Sequence, residues 1–376
     1  MGGYEPLDAM EAFRAVLADP DAVAREWKEG GGKVIGTRCV FVPEEIITAA
    51  GMLPYPLYGR PEPVRLADSY FQSCTCEFVR NIFDHALDGR FSFLDGFALS
   101  NTCDGLRRLW DVWRHYLEAP PVYMINNPQK LSSDMSRDYH VEELRRFVAW
   151  VEDVSGEKVT DERLDAAIDR HNRTRGLLRK LNALRREDPP LVTGTEALEA
   201  SMAATILPDE RACTLLEALV EEARGRQAPE SFGARILVTG SILDDPALVR
   251  MIEEEGGIVV ADDLCTSGKY SWHDVEKSDH PLDSLHDHFN GRPICACMHP
   301  MEERFSYVVE MADAFEADAV IDFNLKYCHP FMYEAPLLKE ELESHDLPTT
   351  VLEIGHDMSG HGQLRTRIQA FLEMLD

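Results

Sequence analysis

The stretch ARILVTGS (234–241), a segment of helical period over residues 246–255, and then GGIVVADDLC (256–265) decide the fold. Short, continuously apolar strands joined by a helix belong to a parallel sheet covered on both faces. The pattern continues downstream with RPICACM (292–298) read as a strand, a helix over 301–316, ADAVIDFN (317–324), a helix over 334–343, TTVLEIG (349–355) and a final helix in GQLRTRIQAFLEML (362–375). Upstream, KVIGT (33–37), FLDGFALS (93–100) and PVYMIN (121–126) are interleaved with helical patterns such as DGLRRLWDVWRHYL (104–117). From Val141 to about Arg224 no strand pattern occurs; long helical segments such as DERLDAAIDRHNRTRGLLRKLNALRRE (161–187) run up to Pro189 and Pro190. The expected organisation is an N-terminal α/β domain (1–140), a helical connector or bundle packed beside the domains (141–230) and a C-terminal α/β domain (231–376).

A chain of 376 residues with 44% apolar content is long enough for two cores, since single cores rarely grow beyond ~250 residues. Its 38 basic and 67 acidic residues leave a net charge of -29, which repels phosphate backbones and anionic lipid surfaces; neither nucleic acid nor membrane is an expected partner. The opening MGGYEPLDAMEAFRAVLADP carries early acids and no apolar run of signal length, and a soluble cytoplasmic protein is expected. Nine cysteines occur in this context. Their odd number and the lack of an export signal disfavour a disulfide framework and point to metal ligation or catalysis.

Ligands of parallel α/β sheets bind at the carboxyl ends of the strands. Cys39 follows KVIGT, Cys103 follows FLDGFALS, Cys265 follows GGIVVADD, Cys297 closes RPICACM and Cys328 follows ADAVIDFN, so five strand-to-helix junctions from both halves are expected to carry a cysteine. Cys74 and Cys76 precede or open a helix in SYFQSCTCEFVRNIFDHAL, where unpaired N–H groups favour a thiolate. Single cysteines on separate loops suit a cluster whose irons each need one thiolate. Zinc sites more often use paired C-x2-4-C knuckles, which are missing here. Cys213, in the middle of ERACTLLEALV, reads as a small buried hydrophobe.

The segments GTRCVFVPEEIITAAGMLPYPLYG, CEFVRNIFDHAL, SNTCDGLRRLW, YCHPFMYEAPLLKEEL and GQLRTRIQAFLEML resemble the family of 2-hydroxyacyl-CoA dehydratases and ATP-dependent benzoyl-CoA reductases, with their relatives the double-cubane cluster proteins. The resemblance implies two Rossmann-like (flavodoxin-like) parallel-sheet domains with a helical part, and a 4Fe-4S cluster between the domains on three cysteines. Carried over, these are Cys76 before EFVR, Cys103 in NTCDG and Cys328 in KYCHP. GTRC, DDLCTSG and ICACM resemble the double-cubane branch, in which two cubanes share a sulfide and an 8Fe-9S cluster needs six thiolates. The second trio is then Cys39, Cys265 and one of Cys295 and Cys297, with Cys297 taken.

The resemblance further implies a separate ATP-hydrolysing iron–sulfur activator, a homodimer or heterodimer with a related subunit, and low-potential electron transfer to a CoA thioester or a small unsaturated molecule. The chain has no G-x-x-x-x-G-K-[ST] loop, so nucleotide chemistry would lie on another chain. Beside the ligands stand Glu77, Asp104, Asp263, His299, His329 and His356 as candidate proton donors or hydrogen-bond partners; His329, Glu77 and Arg80 are taken as the catalytic candidates. Ser241 in VTGSILDDP sits where a strand-to-helix turn would hold a phosphate, and the helically spaced Trp110, Trp113 and Tyr116 suggest core or subunit interface. A zinc-bound structural protein and an electron-relay subunit are the competing readings.

Overall fold

The computed structural model describes residues 4–130, 133–229, 232–292, 295–357 and 360–375. In the first half α1 (Ala9–Ala18) and α2 (Pro20–Glu29) lead into β1 (Val34–Arg38), α3 (Glu44–Ala49), β2 (Leu53–Pro56), α4 (Glu77–Leu87), β3 (Gly96–Ser100), α5 (Asp104–Tyr116) and β4 (Val122–Ile125). Four helices follow: α6 (Asp134–Ser155), α7 (Asp161–Ala183), α8 (Gly194–Ile206) and α9 (Asp209–Arg224). The second half runs β5 (Arg235–Gly240), α10 (Ala247–Glu254), β6 (Ile258–Asp262), α11 (Pro281–Asn290), α12 (Met301–Ala314), β7 (Ala319–Leu325), α13 (His329–Ser344), β8 (Thr349–Ile354) and α14 (His361–Leu372). No helix among the described residues is long and apolar enough to cross a membrane.

Each half folds a four-stranded sheet, ordered β2-β1-β3-β4 and β6-β5-β7-β8, and every strand pair is parallel. Renumbered, the second order equals the first, the 2-1-3-4 arrangement whose topological switch point lies between strands one and three. The inner strands β1, β3, β5 and β7 are buried along their whole length, as their apolar runs require.

Two differences from the sequence reading stand out. The described part of RPICACM is no strand: Pro293 and Ile294 fall outside the described residues, and Cys295 to Met298 make a turn closed by the Met298 N–H on the Cys295 carbonyl at 2.8 Å. The next N–H, that of His299, goes to the Gln129 carbonyl at 2.9 Å rather than into a ladder, so Cys297 lies on a loop between α11 and α12 and not at a strand end. Conversely β2, with the sequence LPYP, is a strand that its two prolines concealed. It pairs only with β1, and an edge strand tolerates residues that lack an N–H.

The helical segment links the two sheets. α8 contacts both β2 of the first sheet and β6 of the second. Its sequence GTEALEASMAATI is rich in small residues, every residue except Thr205 is buried, and its two buried acids are paired, Glu196 with Arg226 and Glu199 with Arg14 and Arg250. A capping box of Thr193 and Glu196 opens it, while Glu253 at the end of α10 accepts the N–H groups of Gly194 (2.6 Å) and Thr195 (3.2 Å). Of the aromatic run on α5, Trp113 packs in the core against Phe97 (4.6 Å between ring centroids), Trp110 is half-buried under Arg114, and Tyr116 is 54% exposed beside Tyr70.

Gly240 ends β5 with φ +126, and a Cβ there would meet the Phe323 carbonyl oxygen of β7 at 1.9 Å. Gly240→Ala therefore combines left-handed strain with a backbone clash in the sheet centre. It is expected to lower stability by roughly 3 kcal/mol or more, read as a fall in the urea midpoint at unchanged slope.

Candidate cysteine-lined active site

Five cysteines mark strand or helix ends that converge. Cys39 directly follows β1, Cys103 caps α5 behind β3, and Cys265 lies just beyond β6; Cys76 caps α4, and Cys328 caps α13 behind β7. Cys103 accepts the Leu106 N–H at 3.5 Å, the bond a capping side chain makes to the first turn. Local backbone geometry is unusual at two of these ends. Among the described non-glycine residues with positive φ, Glu316 and Asp346 follow helix ends, where such angles are common; the other two are Cys39 (φ 91) and Tyr327 (φ 65), immediately before Cys328. Strain of this kind persists where the surroundings over-determine the position, commonly at functional sites.

Cys39, Cys76, Cys103, Cys265, Cys295, Cys297 and Cys328 all line one cavity of about 910 Å³ between the carboxyl edges of the two sheets. All six cysteines expected as ligands are among them, with Cys295 as the seventh. Cys74 is exposed and bonded to Gln72, and Cys213 is buried in α9 against Thr174. All nine are free thiols. Between the sulfurs the remaining wall is mostly apolar, from Phe78, Val79, Leu106, Ile242 and Phe331.

The sulfurs form sub-groups. Cys297 interacts with Cys103 and Cys295, and Cys328 with Cys76. Cys39, Cys265 and Cys295 interact electrostatically with one another. Burial pushes the Cys39 thiol up to about 12 and raises Cys265. Cys295 moves the other way, to about 6, because Cys297 donates to it and the Lys269 ammonium lies near. Positive charge is thus concentrated behind the deeper cysteines: Lys269 is fully buried, and the Arg38 guanidinium stacks 4.4 Å over Phe78. Neither cation was singled out by sequence reasoning, although Lys269 stands four residues from Cys265 and Arg38 directly before Cys39.

Behind this wall Arg304, wholly buried, bonds Asp263, Glu334 (2.7 Å) and Thr239 (3.0 Å), and Lys269 reaches Asp263 at 3.2 Å. Asp263 is therefore a charged structural anchor; although burial opposes ionisation, Arg304 and Lys269 hold its carboxyl below the ordinary range. Ser241 is likewise engaged: its hydroxyl accepts the Leu325 N–H at 3.1 Å and so supports the backbone at the end of β7.

The remaining expected residues separate into two groups. His329, Asp104 and His299 line an outer basin of about 2040 Å³ that shares Cys76, Cys103, Cys297 and Cys328 with the cavity and opens past Tyr333, which is 80% exposed. Glu77 instead accepts the His356 N–H at 2.8 Å, His356 bonds Asp244 at 3.0 Å, and Arg80 is bonded to Asp68 and the Thr75 carbonyl. Glu77 and His356 thus join loops of the two halves, and Arg80, 3.8 Å from Glu77, is held within the first; none of the three lines the cavity, so Glu77 and Arg80 stand together while His329 stands apart from them.

Among the described residues no group of three or more His, Cys, Asp or Glu converges closely enough to hold a single metal ion. The donors are instead spread around a cavity, and soft thiolates on several elements fit a polynuclear iron–sulfur group, one sulfur to each iron.

Over residues 39–375 the sequence matches the family described as 2-hydroxyglutaryl-CoA dehydratase, D-component. It is similar to the (R)-phenyllactyl-CoA dehydratase beta subunit of Clostridium sporogenes, with 26% identity across 96% of this chain and 97% of that one. It resembles a benzoyl-CoA reductase subunit of Thauera aromatica at 28% identity across 91% of each chain. The beta subunit of (R)-2-hydroxyglutaryl-CoA dehydratase from Acidaminococcus fermentans is 25% identical across 97% of this chain and 98% of its own. With a near-complete match to the family and to subunits of both enzyme types, this chain belongs to the family of 2-hydroxyacyl-CoA dehydratase and benzoyl-CoA reductase subunits.

Proposed function

We propose that the chain is an iron–sulfur enzyme subunit that passes low-potential electrons from a separate ATP-hydrolysing activator to a substrate, with a double-cubane cluster in the cysteine cavity. The observation that carries this reading is the gathering of seven thiols around one cavity, more than a single cubane on three thiolates uses. When bound, the cluster supplies one-electron chemistry at a potential that burial, net charge and hydrogen bonds to sulfur tune.

On this reading Cys76, Cys103 and Cys328 hold one half, next to the outer basin, where an activator would approach. Cys39, Cys265 and Cys295 hold the deeper half. Cys295, like Cys39 and Cys265, lines the inner cavity alone, whereas Cys297 also lines the outer basin, and this favours Cys295 for the deep set. Lys269 and Arg38 offset the charge of the deep thiolates, and the apolar wall of Phe78, Val79, Leu106 and Phe331 excludes water. A CoA thioester, the substrate class in the relatives' names, and a small unsaturated molecule are both substrates within the reading, and a related or identical chain is the expected companion in the assembly.

Anaerobic purification followed by iron and acid-labile sulfide analysis tests this directly. About eight irons per chain are expected; about four would restrict the site to a single cubane, and zinc in place of iron would overturn the reading. Individual cysteine substitutions refine it. Cys76→Ala, Cys103→Ala and Cys328→Ala should each remove the cubane beside the basin, and Cys295→Ala should halve the iron content. Cys297→Ala, Cys74→Ala and Cys213→Ala should leave the iron count and the visible absorption spectrum unchanged.

A further inference from the structure

A second cavity, of about 1190 Å³, lies on the flank of the molecule between α3, α7 and the start of α9. It opens to solvent past the exposed residues Ala166, Arg170 and Glu210. Glu44, Thr205 and Tyr270 line both this flank cavity and the cysteine cavity. Of the three, only Glu44 carries a carboxyl, which gives up a proton far more readily than a threonine or tyrosine hydroxyl.

We propose that Glu44 delivers protons into the cysteine cavity and that the flank cavity is its intake, with His171 and Asp209 as the relay. This deepens the electron-transfer reading above and rests on it: substrate reduction, or loss of hydroxide from a reduced substrate, needs protons where the wall is otherwise apolar. Glu44 Oε1 accepts from the Thr37 hydroxyl and Oε2 from the Tyr270 hydroxyl, each at 3.3 Å, and both partners face the cysteine side. Toward the flank, Thr48 stands one helical turn beyond Glu44 on the same face of α3, and its hydroxyl is 2.9 Å from His171 Nε2. The other ring nitrogen of His171 is buried without a hydrogen bond and lies 3.7 Å from Asp209 Oδ1. Glu44, Thr48, His171 and Asp209 all line the flank cavity, which has room for bridging water.

The neighbouring Glu45 shows that this is not a generic buried acid. Glu45 is bonded to the buried Arg175, and although burial opposes ionisation, that charge holds its carboxyl down at about 2. Glu44 has only hydroxyl partners among its hydrogen bonds in the described residues, and burial raises it above the ordinary carboxylate range. The groups that face it are His171 and Arg175 from α7, Arg292 after α11, Tyr270 after β6, Tyr58 after β2 and Glu45 on its own helix. Two adjacent carboxyls with opposite shifts are the arrangement that separates a fixed anion from a proton carrier. In each cycle the Glu44 O–H bond breaks and its proton passes into the cavity; the carboxylate recovers a proton handed on from His171 Nε2 through the Thr48 hydroxyl and bridging water, while His171 Nδ1 is reloaded by a proton from hydronium or buffer acid that enters from solvent past Asp209. Electrons come only from the activator.

The test uses the anaerobically purified, cluster-containing full chain, and its readout is the cluster potential rather than turnover. Redox titrations from pH 6 to 9 should show the wild-type midpoint falling as pH rises, by up to about 59 mV for each tenfold drop in proton concentration. In Glu44→Gln, with unchanged iron content, that dependence should vanish, together with a deuterium-sensitive protonated-carboxyl band in the infrared spectrum. His171→Ala should keep the equilibrium dependence but take up protons at least tenfold more slowly after rapid reduction, with recovery on adding imidazole. A Glu44→Gln protein that retains the wild-type pH dependence overturns the relay while leaving the cluster reading intact. A His171→Ala protein with the wild-type rate overturns the assignment of the intake. Wild-type protein without iron overturns the cluster reading and the relay with it.

Discussion

One buried guanidinium, that of Arg304, ties together the three junctions that bring the second sheet to the cysteine cavity. It bonds Asp263, two residues before Cys265; Glu334, one and a half turns into the helix that Cys328 caps; and Thr239, two residues before Ser241. All four side chains are buried, so each charge depends on its partners for the solvation that water no longer provides. Lys269 adds a second cation on Asp263 and faces Cys265 and Cys295. The loops that hold these sulfurs are thus fixed by a charge network rather than by the sheet ladder, which has already ended.

The network also sets the electrostatics of the site. With a net charge of -29 the chain as a whole repels anions, yet Lys269, Arg38 and Arg304 concentrate positive charge behind the deep cysteines. A group ligated by several thiolates is strongly anionic, and in an apolar cavity it needs such compensation nearby, because charge in low dielectric is costly without a partner.

Two sheets of the same strand order would not by themselves make one cavity. Their carboxyl edges must face each other, and α8 supplies the constraint. Buried on all sides, it packs against β2 and β6 at once, and its N-terminus is held by Glu253 from the second half. The loops beyond both switch points then meet, with Cys39 and Cys103 from one and Ser241 and Cys328 from the other. The same packing leaves Thr205, at the end of α8, between the cysteine cavity and the flank cavity.

By itself the sequence determined the parallel α/β architecture, because fully buried strands must be apolar along their length, and it placed Cys39, Cys103, Cys265 and Cys328 near the ends of such strands. The segments around Cys76, Cys103 and Cys328 carried the kinship that the comparisons bear out. Only the tertiary structure decided what depends on contacts distant in the chain. β2 was illegible because two prolines argue against a strand unless its position at an edge is known, and the strand reading of RPICACM failed because Cys295 to Met298 bond locally and across to Gln129. Glu77 and Arg80 adjoin Cys76 in sequence yet turn away from the cavity, since a helix spreads neighbouring side chains around its axis. Glu44 and Glu45 are indistinguishable as letters, but a buried arginine from α7 meets only one of them, and that encounter makes the two carboxyls chemically different.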